Sequence, residues 1–394
     1  MSRLGQCCMI IVLFQVPVFL IYFRNNEKKF VFHATSLAVI INRTGEESSN
    51  STQAKEKVEV LYNEVRKKLE NVRELNRKRL FKGEALLKWW KDEFKEMLDV
   101  MKVTRRERYQ LLLIVSTAPQ RADRRQAIRQ TWWQQCQENR QLKCIFFTDG
   151  LVKDSDKDEL KNENRQYGDL FLQPISNGMH FGERLLYQLQ WAILAYDFDY
   201  LVRIDDDHFL CLDVLLYELQ HKVPKTNAIY GWIHCQRNLI RPDEGFVVFS
   251  EDVVYKFLSQ PNDTMICHPV GDQQIALWIQ NLKMKNIYYH DARIHHDPPA
   301  ARIPYLLNKT NVCHEYISLH GSYPKAMKIF WDNRGDRGVD VQKSSRRIQE
   351  FKNYCNFDQA FDFRLFQGKW RYNTMLCSSN STGSTTDKIY KGRE

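Results

Sequence analysis

Apolar runs alternate with amphipathic stretches over the middle of the chain. Residues 111–115, 144–147 and 200–204 are almost continuous apolar runs, a pattern that predicts strands buried on both faces. Residues 124–133 form a helix candidate, and apolar positions recur at helical spacing over residues 185–196. Alternation of strands and helices at this spacing predicts an α/β fold, with a mostly parallel central sheet flanked by helices.

The amino-terminal part of the chain has a different pattern. Residues 7–23 are apolar except for Gln15 and Pro17, and this length just reaches that of a membrane span. A cleaved signal peptide is the alternative, but no small-x-small cleavage site precedes the polar run that follows. The basic residues after the span outnumber those before it, which by the positive-inside rule opposes a cytosolic amino terminus. We favour an uncleaved anchor.

Charged and apolar residues alternate between residues 53 and 102, with no proline. This pattern predicts a long helix, with about three heptads of apolar positions, the minimum for a coiled coil. A spacer helix is the simpler interpretation, although such a stem could also mediate a dimer. We therefore expect a stem over residues 24–108, helical from about residue 53, ahead of a globular part.

Composition limits the class of protein. The 394 residues are 43% hydrophobic and 12% aromatic, which excludes wholesale disorder. More than half of the net charge of +10 comes from residues 53–108, and the remainder has no basic stripe with interleaved aromatics. We therefore expect no nucleic-acid partner. Eight cysteines after the anchor could pair fully in a lumenal protein. N-glycosylation motifs also favour a lumenal chain, and they occur at Asn42, Asn50, Asn262, Asn308 and Asn380.

Three consecutive carboxylates, Asp205 to Asp207, follow the predicted strand 200–204. Ligands of parallel sheets bind beyond the carboxyl ends of the strands, and side chains alternate, so Asp205 and Asp207 can share one face. A solvated acidic turn is the simpler interpretation. However, adjacent carboxylates repel one another, and a hard divalent cation would offset that cost. The sequence thus predicts a metal site here.

A metal with few protein ligands usually also contacts a substrate phosphate. Neither of the common glycine-rich phosphate loops is present in the sequence. Guanidinium groups suit diphosphate oxygens, and four arginines follow the first predicted strand, at positions Arg121, Arg124, Arg125 and Arg129. We expect at least half of them to lie on a solvated helix face.

Two further features have competing interpretations. The segment from His314 to His320 resembles a zinc-protease motif, but its second histidine comes two residues late, so a zinc protease is not expected. Asp272 precedes a helical pattern and could be an N-cap residue. If it lies near the metal, it could instead act as a base.

Several ordered blocks resemble the β-1,3-galactosyltransferase group, glycosyltransferase family 31. The block at residues 124–132 matches its R-R-x-A-I-R-x-T-W motif, residues 167–169 its Y-G-D motif, and residues 205–207 its D-D-D metal motif. Residues 245–250 resemble its G-Y-V-L-S strand, and Asp272 falls at its catalytic aspartate. The resemblance covers about residues 109–331. Its later motifs are most similar to those of the proteoglycan linker-region galactosyltransferases.

The chain also departs from this pattern. The acidic residue and valine that flank the family aspartate are replaced by Gly271 and Gln273, and residues 176–182 replace its D-x-Y-x-N-L-T segment. The first change leaves Asp272 intact. The second concerns the donor side, so the identity of the sugar is open.

The resemblance implies a GT-A fold over residues 109–335 and inverting, metal-dependent transfer from a UDP-sugar to a glycan acceptor. It implies Mn²⁺ or Mg²⁺ as cofactor. Asp207 is expected to be the principal metal ligand and Asp205 to bind the ribose or the metal. His296 is the preferred third ligand, with His295 and His320 as alternatives, and Asp272 is the expected general base. Nucleotide binding is assigned to Thr117, Arg121, Arg125, Arg129, Asp205 and Asp206.

The resemblance further implies a single-pass type II Golgi membrane protein. Residues 1–6 would be a cytosolic tail, residues 7–23 the anchor, and residues 336–394 a basic extension that matches no motif. UDP-galactose is the expected donor, and UDP-N-acetylglucosamine is the alternative. A catalytically silent lumenal carbohydrate-binding protein, or a calcium-dependent one, is the alternative from another class.

Overall fold

The computed structural model describes residues 19–21, 32–37, 107–178, 180–261, 264–335, 348–362 and 375–377. The chain divides into two units, Met1–Arg105 and Arg106–Glu394. In the first unit, β1 (Phe19–Ile21) pairs antiparallel with β2 (Phe32–Leu37). The described residues contain no helix long and apolar enough to cross a membrane. The rest of the predicted anchor and the predicted stem helix before residue 107 lie outside the described residues.

The second unit contains the central sheet. Its eight strands are β3 (Arg108–Ser116), β4 (Leu142–Leu151), β5 (Leu170–Ser176), β6 (Asp197–Asp205), β8 (Ile229–His234), β9 (Arg241–Ser250), β11 (Tyr288–His290) and β14 (Gln349–Glu350). Their order is β14-β11-β8-β9-β6-β3-β4-β5. Strands β3, β4, β5 and β6 run parallel to one another, as do β8 and β11, whereas β9 is antiparallel to both of its neighbours and β14 to β11. The predicted α/β fold with a mostly parallel sheet is confirmed.

A smaller sheet lies beside the acidic run. It consists of β7 (His208–Leu210), β12 (Ile294–His295) and β13 (Ser318–His320), in the order β12-β13-β7. The remaining strands, β10 (Ile266–Cys267) and β15 (Met375–Leu376), form an antiparallel pair. The segment that resembled a zinc-protease motif does not form one helix, because His314 ends a 3₁₀ turn and His320 ends β13.

Ten α-helices are present among the described residues. They are α1 (Ala122–Arg129), α2 (Trp133–Glu138), α3 (Asp154–Tyr167), α4 (Phe181–Ala195), α5 (Leu212–His221), α6 (Glu251–Leu258), α7 (Gly271–Asn281), α8 (Pro304–Leu307), α9 (Pro324–Asp332) and α10 (Phe351–Tyr354). The predicted helix 124–133 is thus interrupted. Thr131 donates its hydroxyl to the carbonyl of Ala127 at 2.8 Å, which competes with helix continuation. The break allows both Trp132 and Trp133 to be buried.

The predicted apolar strands form the centre of the core. Residues 111–115 of β3 are fully buried, as are Leu201, Val202 and Ile204 of β6. Trp133 stacks on Phe146 of β4 with ring centroids 4.2 Å apart, a geometry that adds to the burial of both rings. The core therefore fixes the carboxyl ends of β3 and β6 relative to each other.

All eight described cysteines are paired. The disulfides are Cys136–Cys144, Cys211–Cys313, Cys235–Cys355 and Cys267–Cys377. The last two join the segment after residue 335 to the α/β unit, and Tyr354 also stacks on His290 of β11. The described parts of the predicted basic extension are thus packed against the same unit as the central sheet.

Candidate functional site

The acidic run lies at the carboxyl end of β6, in the turn to β7. The side chain of Asp205 is 39% exposed and that of Asp207 17%, whereas that of Asp206 is 1% exposed. The predicted alternation is therefore correct. Strand β6 lies between β3 and β9 in the sheet, so the run occupies the edge where ligands of such sheets bind.

Asp206 is engaged inside the protein. It accepts hydrogen bonds from the Thr117 hydroxyl at 2.7 Å, from Arg124 at 2.9 Å and from Arg121 at 3.1 Å. These contacts fasten the loop after β3 to the end of β6. The nucleotide role of Thr117 and Asp206 stays a prediction, and in the structure the hydroxyl of Thr117 donates to Asp206. Arg121 is 47% exposed and remains accessible to an anion.

Arg125, Arg129, Glu163 and Asp169 form what we call the arginine–carboxylate cluster. Arg125 donates to both carboxylate oxygens of Glu163, at 2.7 and 2.8 Å, and to two loop carbonyls. Arg129 binds Asp169 through two nitrogens, at 2.7 and 2.9 Å, and Glu163 at 2.8 Å. Both arginines are buried. The predicted role of Arg125 and Arg129 in nucleotide binding is not supported by this geometry, since their guanidinium groups already hold α1 to α3 and the start of β5.

The pKa of Glu163 reflects this pairing. Burial by itself raises the pKa of the carboxyl group, but the hydrogen bonds from Arg125 and Arg129 outweigh burial. The net pKa of Glu163 lies below its ordinary value. The cluster is therefore stable as a set of charges at neutral pH.

Asp207, His208 and His320 form a second set, which we call the Asp207 group. Their ligand atoms all lie within 4.8 Å of one another. His320 Nε2 is 3.9 Å from Asp207 Oδ2, and its Nδ1 is 2.6 Å from the carbonyl of His296. Among the described residues, Asp207 Oδ1 and His208 Nε2 are buried without a hydrogen-bond partner. Unpaired buried polar atoms are costly, and both of these belong to the Asp207 group.

The pKa values of the carboxyl groups in this region shift in the opposite direction to that of Glu163. Burial raises the pKa of Asp207, and Asp206 adds to the rise although His320 opposes it. Burial, with Asp207 nearby, raises the pKa of Asp205 despite an ion pair with Arg203 at 2.9 Å. Burial lowers the pKa of His208 well below its ordinary value. Carboxylates with raised pKa values and a neutral imidazole are the ligands a divalent cation would stabilise.

The donor set fits such a cation. A carboxylate and two imidazole groups suit Mn²⁺ and related metals, and the hydrogen bond at His320 Nδ1 leaves Nε2 directed at Asp207. His296, the ligand preferred from the sequence, lies elsewhere: its Nδ1 is 2.8 Å from Asp243. The geometry therefore favours His320, the alternative carried from the sequence, as the partner of Asp207.

His296 belongs to a third set, the Asp243 group, which consists of His234, Asp243 and His296. Burial raises the pKa of Asp243, but hydrogen bonds from the two histidines outweigh it, so the net pKa is well below the ordinary value. Burial lowers the pKa of His296, yet its hydrogen bond to Asp243 produces a net rise. Sequence reasoning did not anticipate this set, because its members come from three separate strands or strand ends.

Asp272 lies in the first turn of α7, not at the N-cap position, which is Val270. Arg241 donates to Asp272 Oδ2 at 2.5 Å. The other oxygen, Oδ1, has no hydrogen-bond partner among the described residues. One oxygen of Asp272 is therefore held by a cation, while the other is buried and accepts no hydrogen bond from the described residues.

Glu244 is a neighbour of Asp272 that the sequence analysis missed. Its carboxylate accepts the backbone N–H of Gly271 at 2.7 Å, and a Cβ at Gly271 would be only 2.3 Å from Glu244 Cδ. Glycine at this position thus permits the close approach. Burial raises the pKa of Glu244, and Asp272 adds to the rise although Arg203 opposes it. Glu244 therefore supplies a carboxylate beside the amino terminus of α7.

Arg203 links the two ends of the site. Its guanidinium is 2% exposed and lies 2.9 Å from Asp205 and 3.3 Å from Glu244. A buried arginine therefore connects the acidic run to the amino terminus of α7. The only sequence signal for this link is an arginine inside an apolar strand, which is uncommon unless it is paired.

Comparison with known proteins gives a consistent result. Residues 123–259 match the galactosyltransferase family model. The resemblance to the β-1,3-galactosyltransferase group is confirmed. Beta-1,3-galactosyltransferase 6 of Mus musculus is 28% identical over 139 residues, which cover 34% of this chain and 42% of that protein. Lactosylceramide 1,3-N-acetyl-beta-D-glucosaminyltransferase of Mus musculus is 32% identical over 177 residues, which cover 42% of this chain and 47% of that protein.

The chain thus spans less than half the length of the curated relatives it matches. Among solved structures, a mannosyltransferase from Pyrobaculum calidifontis in complex with GDP-Man and Mn²⁺ has a TM-score of 0.31 at 12% identity, covering 47% of this chain and 59% of that chain. The two curated relatives support the expectation of a hexosyltransferase.

The region matched to the galactosyltransferase family contains part of the site. It includes the acidic run, the arginine–carboxylate cluster and Glu244, whereas Asp272, His296 and His320 lie beyond residue 259. The match therefore covers the acidic end of the site, and the roles of Asp272 and His320 depend on the geometry described above.

Proposed function

We propose that this chain is an inverting glycosyltransferase of the GT-A fold that transfers galactose from UDP-galactose in β-1,3 linkage to a glycan acceptor. The galactosyltransferase match supports the reaction class. The observation that carries the proposal is the pair of buried, unpartnered ligand atoms, Asp207 Oδ1 and His208 Nε2, at the end of the central strand β6. Acceptors for the sugar would be glycans of glycoproteins, glycolipids or proteoglycans.

In this proposal, Asp207 and His320 hold Mn²⁺ or Mg²⁺, with His208 as a further ligand. When bound, the metal neutralises the diphosphate charge that develops on the leaving UDP. Asp205, which is exposed and ion-paired with Arg203, contacts the ribose or the metal. Arg121, the exposed member of the predicted nucleotide-binding arginines, binds diphosphate oxygens.

Asp272 is the proposed general base. Its unpartnered Oδ1 accepts the proton of the acceptor hydroxyl as that oxygen forms a bond to the anomeric carbon of the sugar. The bond between this carbon and the UDP oxygen breaks in the same step, so the configuration inverts. Arg241 holds the other carboxylate oxygen, which fixes the orientation of the carboxylate.

Two alternatives remain. UDP-N-acetylglucosamine as donor is supported by the similarity to the lactosylceramide N-acetylglucosaminyltransferase. A lumenal carbohydrate-binding protein without transferase activity, with or without calcium, is less well supported, because Asp207, His320 and Asp272 would all be retained without use.

We further propose a single-pass type II Golgi membrane protein with a lumenal catalytic domain. Four disulfides support an oxidising compartment. The apolar residues 7–23 would supply the anchor.

The experiment that tests the function is UDP release by the purified protein with Mn²⁺. UDP-galactose and UDP-N-acetylglucosamine are offered separately, with and without β-galactoside, N-acetylglucosamine and xyloside acceptors. We expect release that requires metal and is stimulated by one acceptor in the presence of UDP-galactose. Stimulation only with UDP-N-acetylglucosamine would favour the alternative donor, and UDP binding without release from any pair would favour a binding protein.

A further inference from the structure

The Asp243 group has the geometry of a small metal site. Asp243 Oδ2 lies 2.8 Å from His296 Nδ1 and 3.2 Å from His234 Nε2, and the three ligand atoms lie within 4.8 Å of one another. On a tetrahedral Zn²⁺ with bonds of about 2.0–2.1 Å, neighbouring ligand atoms would be separated by about 3.4 Å. Admitting the ion would therefore require the contacts of His296 and His234 to open by about 0.6 and 0.2 Å, respectively.

The three side chains are held by rigid parts of the fold. His234 is the last residue of β8, and the adjacent Cys235 is tied to Cys355 by a disulfide. Asp243 lies within β9, and its Oδ1 accepts the N–H of Gly245 at 2.9 Å. That bond leaves Oδ2 directed at the two histidines. Preorganised ligands with supporting hydrogen bonds are typical of metal sites.

The third ligand is held in the same way. His296 directly follows β12, and its carbonyl oxygen lies 2.6 Å from Nδ1 of His320. Its side chain is 32% exposed, so an ion can enter and a water molecule can complete the coordination. The backbone contact also connects this set with the Asp207 group without sharing a ligand.

Gly245 lies next to both sets. A Cβ at this residue would be 2.9 Å from Asp243 Oδ1, 3.1 Å from His208 Nε2 and 3.6 Å from Asp205 Oδ2. Glycine at this position therefore leaves room for side chains of both sets. The sets differ in their surroundings, because the Asp207 group adjoins the other two carboxylates of the acidic run. The Asp243 group offers two imidazoles and a single carboxylate, a donor set that suits Zn²⁺ better than Mg²⁺.

We propose that His234, Asp243 and His296 form a second cation site, of the zinc class, beside the Asp207 group. This site does not depend on the proposed transferase activity. A network of hydrogen bonds between an aspartate and two histidines, with no affinity for metal, is the competing interpretation.

The test is the number of Zn²⁺ ions bound per chain by the metal-stripped full chain, measured by calorimetry and by metal analysis after desalting. We expect two in the wild type, one at each group. We expect one in His234→Ala, with the affinity of the lost site reduced at least about 100-fold. The matched variant Asp207→Asn should also bind one, but at the Asp243 group. Co²⁺ substitution provides a second readout, because the visible spectrum of the Asp243 site should vanish in His234→Ala and persist in Asp207→Asn.

Several outcomes would overturn the inference. One is a wild type that binds a single Zn²⁺ ion together with an Asp207→Asn variant that binds none. Another is a His234→Ala variant that binds as many ions as the wild type. Asp243→Asn keeps the size of the side chain, so it replaces His234→Ala if that variant does not fold. If only the Asp207 group failed to bind metal, the result would count against the proposed function but not against the Asp243 site. His234→Ala would still remove one bound ion in that case.

Discussion

Two charged regions flank the loop after β3, and they differ in how their charges are paired. In the arginine–carboxylate cluster, both arginines donate to Glu163, and Asp169 accepts two nitrogens of Arg129. In the Asp207 group, by contrast, one carboxylate oxygen and one imidazole nitrogen are buried without a partner among the described residues. The pKa of Glu163 is accordingly lowered and that of Asp207 raised. The two regions therefore differ in whether their charged and polar atoms have hydrogen-bond partners, and not in how many charges they contain. Unpartnered atoms are the feature that indicates a ligand site.

The largest effect is expected from removing the Asp207 carboxylate from the Asp207 group. Asp207→Ala should abolish metal-stimulated transfer and weaken Mn²⁺-dependent UDP binding, because the principal metal ligand is lost. UDP affinity is measured by calorimetry with and without Mn²⁺. Asp169→Asn is the matched control from the arginine–carboxylate cluster, and this variant should retain the stimulation of transfer by metal. Unchanged UDP affinity in Asp207→Ala would remove the metal role of this residue.

Asp272→Asn should separate chemistry from nucleotide binding. Loss of the general base is expected to lower the rate of transfer by about 10²–10⁴-fold, while UDP binding stays intact because the Asp207 group is unaltered. Single-turnover product formation and UDP calorimetry on the same preparation check both parts. Near-normal turnover would contradict the assignment of Asp272.

Arg125→Ala should affect folding and not metal dependence. Removing one partner of a buried ion pair costs about 3–5 kcal/mol of unfolding free energy. In this variant Glu163 loses one of its two arginine partners, and two loop carbonyls lose their donor. Chemical denaturation measures the loss. The surviving folded fraction should need the same Mn²⁺ concentration for half-maximal UDP release as the wild type. A large change in that concentration would show that the cluster belongs to the binding site.

The sequence predicted much of the framework for physical reasons. Apolar runs identified β3, β4 and β6, since strands buried on both faces carry an uninterrupted signal. The alternation at the end of β6 correctly predicted that Asp205 and Asp207 are more exposed than Asp206. These predictions depend on local periodicity alone.

Tertiary partners could not be predicted in this way. Arg121 and Arg125 lie four positions apart and look equivalent in sequence, yet only Arg125 meets Glu163 across the fold. The choice between His296 and His320 depended on which strand end turns toward Asp207. Glu244 and Gly271 are 27 positions apart in the sequence. Only the structure shows that the Glu244 carboxylate lies against Gly271.

A pH measurement would sharpen the difference between the two regions. The folded-state pKa of Glu163 lies below its ordinary value, so its stabilising effect is present above the unfolded pKa and is lost as the pH falls through the folded pKa. Glu163→Gln should therefore lower the free energy of unfolding at pH 7 by about 1.5–3 kcal/mol, and the difference from wild type should shrink toward acid pH. Denaturation at a series of pH values tests this. A constant difference would mean that the charge of Glu163 does not matter.

The smallest expected effect concerns the contact between Glu244 and Gly271. Gly271→Ala would place a Cβ 2.3 Å from Glu244 Cδ, and overpacking of this kind costs about 1–3 kcal/mol. Glu244 must then move away, which alters the start of α7 and the position of Asp272. Transfer should fall while Mn²⁺-dependent UDP binding is kept. The double variant with Glu244→Ala removes the clash, so the two substitutions should be strongly non-additive in a thermodynamic cycle. Additive losses would mean that Glu244 and Gly271 do not act on Asp272 through their contact.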